Sequence, residues 1–493
     1  MLAIGFHMRK KNKSSDDFYL GGRRLNPLVT AMSAEASDMS SWLLMGLPGV
    51  AYLTGLAEAS WTAIGLAIGT YLNWLFVARR IRRYTEVCGN SITLPDFFSN
   101  RYHAKNKALL TVAALIIVIF FIPYTASGFA ACGKLFSSLF GGEYVVTMII
   151  GAVIIVSYTT LGGFLAASTT DFVQSIVMTF ALIFVLFFGV RTAGGVDAVI
   201  QNAKALPGYL SLNASYNVGT GATGSYDFLT IVSTLAWGLG YFGMPHILLR
   251  FMAIHEEHKL VLSRRVASVW VVISLGVATL IGVIGYGMTG AGKIALLESS
   301  SSETIVIKIA QLFGSYGFFF ALVAGIVLAG ILASTMSTAD SQLLAAASSV
   351  SRNLLEEGFG VKLSDKKSIL VARLTVVAIS LIGILIALNP DSSVFRIVSF
   401  AWAGFGAAFG PVVLLALFWR RSNQWGALCG MLGGASMVFI WKFLLKPLGG
   451  VWGIYELLPA FLFAIIINVV VSLCTKAPEQ AVLDEFDKVT AKA

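Results

Sequence analysis

The sequence predicts an all-α polytopic membrane protein, and three observations support this fold class. First, 57% of the 493 residues are hydrophobic and only 12% are charged, whereas roughly 25% of the residues of an average soluble domain are charged. Second, apolar runs recur along the chain, each long enough to cross a hydrocarbon layer of about 30 Å. Third, Lys and Arg concentrate in alternate loops between these runs, which is typical of membrane proteins.

The apolar runs predict twelve transmembrane helices. The opening residues 1–11 are too short to span a bilayer and lack the apolar core and cleavage site of a signal peptide. We therefore interpret residues 1–25 as a truncated N-terminal helix followed by a cytoplasmic segment. The predicted spans are residues 26–54, 58–78, 108–137, 144–161, 168–190, 228–250, 266–289, 317–350, 367–388, 394–419, 425–444 and 451–474.

The basic residues predict the orientation of these spans. When the spans are threaded alternately through the membrane, the most basic loops all fall on one side, which the positive-inside rule identifies as cytoplasmic. Membrane topology therefore explains the formal charge of +10, and nucleic-acid binding is not indicated. The exceptions in outer loops or near an outer helix end are Arg191, Lys204, Lys293, Lys308, Lys442 and Lys446.

The chain divides into two sets of five spans, residues 26–190 and 228–419, separated by an external loop at 191–227. Two additional helices at 420–474 and a cytoplasmic tail at 475–493 complete the predicted organisation. The four cysteines show no CxxC spacing, so neither a disulfide framework nor a zinc site is indicated. No HExxH, P-loop or nucleophile-elbow motif is present in the sequence, so we predict that the protein is not an enzyme.

The first span of each set is interrupted by residues that are unusual in a transmembrane helix. Span 26–54 contains "SAEASDMSS", and span 228–250 contains "GLGYFGMP". A broken helix in a bilayer is tolerated only where it lines a cavity or is buried in protein. Interruptions at matching positions of two halves therefore predict a binding site near the middle of an inverted-repeat transporter. The alternative is that small residues only permit close helix packing.

Five segments carry a resemblance to a known family: "DDFYLGGR", "ASDMSSWLLMGLPG", "GGFLAASTTDFVQ", "AWGLGYFGMPHILLRFMA" and "MSTADSQLL". With these segments the chain resembles the sodium/solute symporter family, and within it the bacterial sodium/proline symporters. The resemblance implies a leucine-transporter-like 5+5 inverted repeat with a broken first helix in each repeat, followed by two C-terminal helices. It also implies a multi-pass protein of the bacterial inner (plasma) membrane.

The resemblance implies a sodium site between the first and eighth spans. Sodium is a hard cation, and carbonyl and hydroxyl oxygens are suitable ligands for hard cations. The alternative for the hydroxyl groups is that they bond back to their own helix. The implied ligands are the carbonyl oxygens of Ala36, Met39 and Ser334 and the side chains of Ser337 and Thr338.

Asp38 is expected to support this sodium site by keeping its surroundings negative. A carboxylate inside a membrane costs at least about 2.5 kcal/mol on insertion scales, so its presence is a functional hypothesis by default. The alternative is that Asp38 caps a helix end at the interruption.

The resemblance and the aromatic pattern of the sixth span predict a substrate site. Trp237 and Tyr241 are four residues apart and share one helical face, with Pro245 one turn further on. Aromatic faces offer proline, a ring that carries a secondary ammonium, both apolar contact and a cation–π attraction of about 0.5 to 2 kcal/mol. Tyr124 and Trp42 are weaker candidates. The alternative for such aromatic residues is ordinary packing or an interfacial belt.

Three acidic residues depart from the family pattern or extend it. Glu35 lies one turn before Asp38 at a position that is commonly small, and two such carboxylates repel unless one is protonated or faces the cytoplasm. Asp340 follows the Ser-Thr pair where an acid is unusual. In some relatives the aspartate matching Asp171 joins a second sodium site, and Asp340 and Ser341 could contribute to such a site here. These residues leave the sodium stoichiometry open.

The sequence thus predicts a secondary active transporter that imports L-proline with co-transported sodium by alternating access. The expected partners are L-proline and the lipid bilayer, with no nucleic acid and no obligate protein partner. Three alternatives stay open. The substrate could be pantothenate, a carboxylate or a betaine. The protein could instead be a membrane sensor module, or an ion channel that conducts without substrate.

Overall fold

The computed structural model describes residues 15–491, and almost all of its regular structure is helical. The predicted truncated helix at the start of the chain falls mainly on residues 1–14, which lie outside the described residues. Within the described part, nine helices are long and apolar enough to cross a membrane, and one bent helix pair makes a tenth crossing. The other two predicted spans, 26–54 and 144–161, are helical as well, the first with a polar interruption.

Between residue 15 and the hairpin, the described residues form ten α-helices. Asn26 begins the first long one, because its side chain accepts the amide of Val29 at 2.9 Å and Pro27 follows at the first helical position. The bounds are α1 Ser15–Leu20, α2 Pro27–Ser41, α3 Leu47–Thr54, α4 Leu56–Leu72, α5 Ala78–Val87, α6 Leu94–Arg101, α7 Ala108–Phe140, α8 Tyr144–Gly162, α9 Phe164–Thr192 and α10 Val196–Lys204.

The second half begins after an antiparallel hairpin of β1 (Ala214–Asn217) and β2 (Ala222–Ser225), which pairs Ala214 with Ser225. The hairpin and α10 lie in the segment predicted as an external loop. The remaining helices are α11 Phe228–Leu235, α12 Pro245–Ala253, α13 Leu260–Gly290, α14 Ile305–Gly314, α15 Phe318–Ser348, α16 Asp365–Ile386, α17 Val394–Phe418, α18 Gln424–Ile440, α19 Leu457–Cys474 and α20 Gln480–Thr490.

Tighter or wider helical turns join several of these helices. Trp42–Gly46 and Ala236–Gly243 lie at the two interruptions, because each continues an α-helix across the middle of a span. The 3-10 segments are Gly21–Arg23, Ala236–Gly243, Glu257–Lys259, Ser299–Thr304, Lys446–Leu448 and Gly450–Gly453, and the π-helical segments are Trp42–Gly46, Asn73–Val77, Ser349–Gly358 and Trp441–Leu445.

Both predicted interruptions are present. In the first span, Ser40 has φ 45° and ψ −170°, so the α-helical path of α2 stops there before the π-helical turn Trp42–Gly46. In the sixth span, α11 tightens into the 3-10 segment Ala236–Gly243, and the helix axis bends by 46° before α12 begins. Breaks of this kind free backbone groups from the regular helical ladder.

Glycine residues permit the close packing that holds the second break in place. A Cβ atom on Gly69 of α4 would lie 2.2 Å from the Gly238 carbonyl oxygen, and a Cβ atom on Gly240 would lie 1.9 Å from Nε1 of Trp402. No larger residue fits at either position without displacing the neighbouring chain. The 3-10 segment Ala236–Gly243 is therefore packed tightly between α4 and α17.

The outer surface of the bundle carries large apolar side chains. Phe187 on α9 is 70% exposed and Leu381 on α16 is 59% exposed. Apolar surface of this extent is expected where helices face lipid rather than water. The buried interior instead carries many of the polar side chains, including Asp38, Asp171 and Asp340, so function is to be sought inside the bundle.

Candidate functional site

An oxygen cluster lies where the broken part of α2 meets α15. The hydroxyl of Ser337 donates to the Ala36 carbonyl at 2.8 Å and lies 3.1 Å from the Ser334 carbonyl. The hydroxyl of Thr338 lies 3.5 Å and 3.2 Å from the same two carbonyl oxygens. Four of the five predicted sodium ligands are therefore brought together. All four are oxygens, the donor type that a hard cation requires.

The fifth predicted ligand, the Met39 carbonyl, lies one turn further along α2. It accepts the backbone amide of Trp42. The alternative for the two hydroxyl groups is partly correct, because both bond to Ser334 of their own helix as well as to Ala36. The same hydroxyls thus connect α15 to the broken span.

Asp38 is held by two tyrosines from different spans. The Tyr241 hydroxyl donates to Oδ2 of Asp38 at 2.6 Å, and the Tyr124 hydroxyl donates to the Asp38 carbonyl at 3.1 Å. The side chain of Asp38 therefore bonds across to the sixth span through Oδ2, and that oxygen does not cap its own helix. Asp38 is 5% exposed, and it lines a small cavity.

The small cavity has a volume of about 10 Å³, which is room for about one water molecule. Three of the predicted substrate residues, Trp42, Tyr124 and Trp237, line it, and the rings of Trp42 and Trp237 lie 5.4 Å apart. Tyr241 and Pro245 are not among the described residues that line it. Tyr241 instead bonds to Asp38, and Pro245 begins α12 behind the 3-10 segment.

Sequence reasoning missed three residues of this cavity, namely Leu66, Val398 and Trp402. Trp402 matters most, because its Nε1 donates to the Trp237 carbonyl at 2.7 Å and its ring meets Tyr241 edge to face at 5.1 Å. The glycine-rich stretch "WAGFGAAFG" around Trp402 is a signal of close helix approach that could have indicated it.

A larger cavity of about 660 Å³ lies on the other side of Trp237, among segments that the charge pattern assigns to the outside. Trp237 lines both cavities, so its ring lies between them. Phe395 stacks on Trp42 at 5.7 Å and packs against Trp237 at 5.4 Å. These three aromatic rings close the small cavity from the outside.

Phe395 is fixed by an acidic residue that the sequence did not single out. The carboxylate of Glu303 accepts the amides of Val394 and Phe395, both at 3.0 Å, and the hydroxyl of Ser393 at 2.8 Å. These groups form the start of α17, where the helix dipole favours a negative charge. Lys134 forms a salt bridge with the same carboxylate at 2.6 Å, and both side chains are buried.

The side of the bundle opposite the large cavity is closed by a buried charged network. Arg250 forms a salt bridge with Asp171 at 3.1 Å and donates from Nε to Ser33 at 3.0 Å. Ser33 donates to the same Asp171 oxygen at 2.6 Å. Arg250 also bonds to Ser341, whose hydroxyl is 3.2 Å from Asp340. The network joins α2, α9, α12 and α15, and the guanidinium lies against the oxygens proposed for a second sodium ion.

Glu35, the other unusual acidic residue, takes part in hydrogen bonds that connect the two broken spans through the second span. Its Oε1 accepts Nε1 of Trp74 at 2.9 Å, and the adjacent Asn73 donates to the Tyr241 carbonyl at 3.0 Å. Both residues start the π-helical turn that follows α4. One turn of the second span therefore bonds to the first break through Glu35 and to the second break through Tyr241.

Two broken helices around a buried carboxylate and an oxygen cluster define the class of ion-coupled secondary transporters. The chain belongs to the sodium:solute symporter family, whose sequence pattern matches residues 18–434. It is therefore a multi-pass transporter of the plasma membrane and not an enzyme. The family membership that the sequence motifs predict is confirmed.

The sequence aligns over almost its whole length with two bacterial transporters. The osmoregulated proline transporter OpuE of Bacillus subtilis (strain 168) is 42% identical over 98% of this chain and 94% of its own length. The sodium/proline symporter of Escherichia coli (strain K12) is 41% identical over 100% of this chain and 94% of its own length.

The fold is likewise confirmed by a solved structure. The substrate-bound, outward-open structure of a sodium-coupled sialic acid symporter matches with a TM-score of 0.76, covering 97% of this chain and 96% of that one at 16% identity. At this identity the likeness concerns the fold alone. The predicted leucine-transporter-like architecture with broken helices is therefore correct.

Proposed function

We propose that the protein imports L-proline together with sodium by alternating access. The observation that carries this proposal is the position of Asp38 relative to Ala36. One turn of the broken α2 contributes the Ala36 carbonyl to the oxygen cluster and the Asp38 side chain to the aromatic cavity. An ion in the cluster and a solute in the cavity would therefore share one structural element. The names of the two full-length relatives support proline as the solute.

The proposed substrate residues have distinct roles. The faces of Trp42, Tyr124 and Trp237 provide the apolar surface for the pyrrolidine ring and a cation–π attraction for its ammonium. The Asp38 carboxylate lines the same cavity and supplies a negative charge for the ammonium. Tyr241 holds that carboxylate in place through its hydroxyl.

The substrate carboxylate needs donors at the other end of the site. Pro245 begins α12 after the extended residue Met244, so the N-terminal end of a half-helix faces the middle of the bundle. Free amides at such an end favour anions. We infer that proline binds between Asp38 and this half-helix once the cavity has widened.

Sodium acts through the equilibrium between conformations. An ion held by Ala36, Ser334, Ser337 and Thr338 joins α2 to α15 and stabilises the conformation in which Asp38 and the aromatic rings complete the substrate cavity. Substrate and ion then shift the population toward occluded and inward-facing states, each by its differential affinity for those states. Low internal sodium favours release.

We keep Asp171 as a proposed second sodium ligand. Arg250 contacts Asp171 through Oδ2, whereas Oδ1 of Asp171 and Oδ2 of Asp340 are buried and accept no hydrogen bond from the described residues. These two oxygens are available to an ion while Arg250 stays in place. A measured ratio of two sodium ions per solute would support this second site, and a ratio of one would argue against it.

Uptake of labelled L-proline into proteoliposomes, with and without an inward sodium gradient, tests the proposal. We expect accumulation above equilibrium only with the gradient. Sodium-driven uptake of pantothenate, a carboxylate or a betaine in place of proline would reassign the substrate. Sodium current without any solute would indicate a channel, and the lack of any flux would favour a sensor.

A further inference from the structure

We propose that helix α20 (Gln480–Thr490) holds the cytoplasmic side of the transporter closed and detaches from the bundle each time that side opens. This inference rests on the alternating access of the proposed function, whichever solute is carried. The helix lies against α5, at the end of the second span that the basic residues identify as cytoplasmic. Its position is therefore suited to control access from the cytoplasm.

One face of α20 is apolar and buried. Val482, Phe486 and Val489 follow the three- and four-residue spacing of a single helical face, and all three side chains are buried against the bundle. An isolated helix of 11 residues is only marginally stable in water. The helix therefore depends on its contact with the bundle for its own stability.

Polar contacts attach α20 to the first set of five spans. Arg83 of α5 donates to the Val489 carbonyl at 3.1 Å. The carboxylate of Glu485 accepts Sγ of Cys88 at 3.0 Å, and Nε2 of His103 lies 3.0 Å from the same carboxylate oxygen. Cys88 precedes α6 and His103 follows it, so α20 is bonded to the chain on both sides of that short helix.

An ion pair attaches α20 to the end of the second set of five spans. Arg420 directly follows that set, and its Nε and a terminal nitrogen lie 3.0 Å and 2.9 Å from the two carboxylate oxygens of Asp487. In alternating access, one group of helices moves against another around a fixed site. Because α20 bonds to both sets, separation of their cytoplasmic ends must break one group of these contacts.

Below α20 lies a buried cation, Arg101 of α6. It is fully buried, and among residues 15–491 no carboxylate forms a salt bridge with it. Its Nε donates to the Ala416 carbonyl of α17 at 2.9 Å, whereas its two terminal nitrogens donate no hydrogen bond to the described residues. The guanidinium carbon lies 5.0 Å from the ring centroids of Tyr84 and Tyr102 and 5.3 Å from that of Phe486. Phe486 thus completes an aromatic cage around the cation.

This cage makes the closed position of α20 only weakly favourable. Burial of a cation without a carboxylate is costly, and detachment of α20 would let water reach the guanidinium. The cation–π contact with Phe486 offsets part of that cost. The ion pair of Arg420 with Asp487 adds little, because its two side chains are 51% and 52% exposed. The helix can therefore leave and return during each transport cycle.

Cys88 reports the position of α20. It is 2% exposed, and burial together with the Glu485 carboxylate raises the pKa of its thiol well above the usual range, so the covered thiol reacts slowly with a maleimide. The experiment labels the full-length protein in lipid nanodiscs with a water-soluble maleimide, after the changes Cys132→Ala, Cys429→Ala and Cys474→Ala. We expect slow labelling with sodium alone, and labelling at least about tenfold faster when L-proline is added or sodium is removed.

Phe486→Ala should give fast labelling of Cys88 with sodium alone. Lys488→Ala is the matched control, because Lys488 is an exposed residue of the same helix, and it should behave like the wild type. Loss of the closing contact favours the inward-open state, to which sodium binds more weakly. The half-saturating sodium concentration for proline uptake by Phe486→Ala should therefore rise by at least about threefold, whereas a helix that only covers Cys88 would change the labelling alone.

Three results would overturn the inference. One is a single labelling rate of wild-type Cys88 under all three conditions, because α20 would then stay in place throughout the cycle. Another is an unchanged half-saturating sodium concentration in Phe486→Ala, and the third is an equal change in Lys488→Ala. A lack of sodium-driven proline uptake by the wild type in proteoliposomes would instead refute the proposed solute, and labelling with and without sodium would still test α20.

Discussion

The hydroxyl of Tyr241 donates to the Asp38 carboxylate at 2.6 Å and thereby joins the two broken helices at their unwound segments. Asp38 lies two residues before the break at Ser40, and Tyr241 lies in the 3-10 segment before α12. Both residues are buried in the bundle. This hydrogen bond is therefore one direct link between the two breaks, beside the ring contact of Trp42 with Trp237, and we expect a change at either break to affect the other.

Replacing Tyr241 with Phe should weaken the response to sodium and proline together. A hydrogen bond to a charged group contributes about 1.5 to 3 kcal/mol net, so we expect the half-saturating concentrations of both ligands to rise by about 10- to 150-fold. The ring contact with Trp402 is retained. Uptake kinetics in proteoliposomes at varied sodium and proline would measure both effects, and a change confined to one ligand would contradict the coupling.

Thr338→Ala should abolish sodium stimulation of uptake without preventing membrane insertion. The change removes one of the four oxygens in the cluster. Thr335→Ala is a matched control on the same helix, because the hydroxyl of Thr335 bonds within α15, to Ile331 at 2.9 Å, and to no other side chain or carbonyl of residues 15–491. Sodium dependence measured at equal protein levels should distinguish the two variants. Unchanged sodium dependence in Thr338→Ala would remove this cluster as the sodium site.

Asp38→Asn should also remove sodium stimulation, through charge rather than through a lost ligand oxygen. The amide keeps the size of the carboxylate and its capacity to accept a bond from Tyr241, but it carries no charge to balance a cation. Sodium-dependent proline binding to the purified variant measures the loss. Binding with wild-type affinity for both ligands would show that the Asp38 charge is not needed.

Residues at the two breaks were predictable from sequence because their chemistry is local. A carboxylate, serines and glycines in otherwise apolar spans indicate unwound backbone whatever the neighbours are, and Ser40 and the 3-10 segment confirm this. The pair Ser337 and Thr338 could be assigned through the family motif. These signals correctly indicated where two helices break. The structure places the hydroxyls of Ser337 and Thr338 near the Ala36 carbonyl, and their role as sodium ligands stays a prediction.

Long-range partners could not be read from the chain. Glu303 meets Lys134 and the start of α17 across 169 and about 90 positions, and no local pattern distinguishes this carboxylate from a surface residue. Arg250 is the last residue of a predicted span, where a basic residue is expected to face the cytoplasm, yet it is buried against Asp171. Which partner neutralises a buried charge depends on helix packing, and packing is set by many weak contacts rather than by a motif.

Gly240→Ala should eliminate transport by disrupting the contact between the 3-10 segment and α17. The added Cβ atom would lie 1.9 Å from Nε1 of Trp402, a residue that lines the substrate cavity and bonds to Trp237. Either the indole or the 3-10 segment must shift. Gly276→Ala on α13 is the control, because nothing lies within 4 Å of its added Cβ atom. Proline uptake normalised to membrane protein compares the two, and an active Gly240→Ala variant would contradict the assigned packing.

Glu303→Ala should speed the release of bound proline to the outside. The carboxylate fixes Val394 and Phe395, and Phe395 closes the small cavity against Trp42 and Trp237. Lys134→Ala should have a smaller effect, because the hydrogen bonds from α17 to Glu303 remain. Dissociation of labelled proline from sodium-loaded protein measures the difference. Equal rates in the wild type and Glu303→Ala would show that Glu303 does not hold the closed state.

Arg250→Leu should destabilise the protein more than Asp171→Asn does. Removal of the guanidinium leaves Asp171 and Asp340 buried without the cation that contacts this network, and an unpaired buried charge costs about 3 to 5 kcal/mol. Asp171→Asn removes one carboxylate but leaves Arg250 with Ser33, Ser341 and the nearby Asp340. The loss of unfolding free energy should therefore be smaller, roughly the 1 to 3 kcal/mol that an unsatisfied buried polar group costs. Thermal unfolding in detergent at constant lipid content compares the variants. Equal midpoints for the two variants, or a lower one for Asp171→Asn, would show that Asp340 does not share the charge of Arg250.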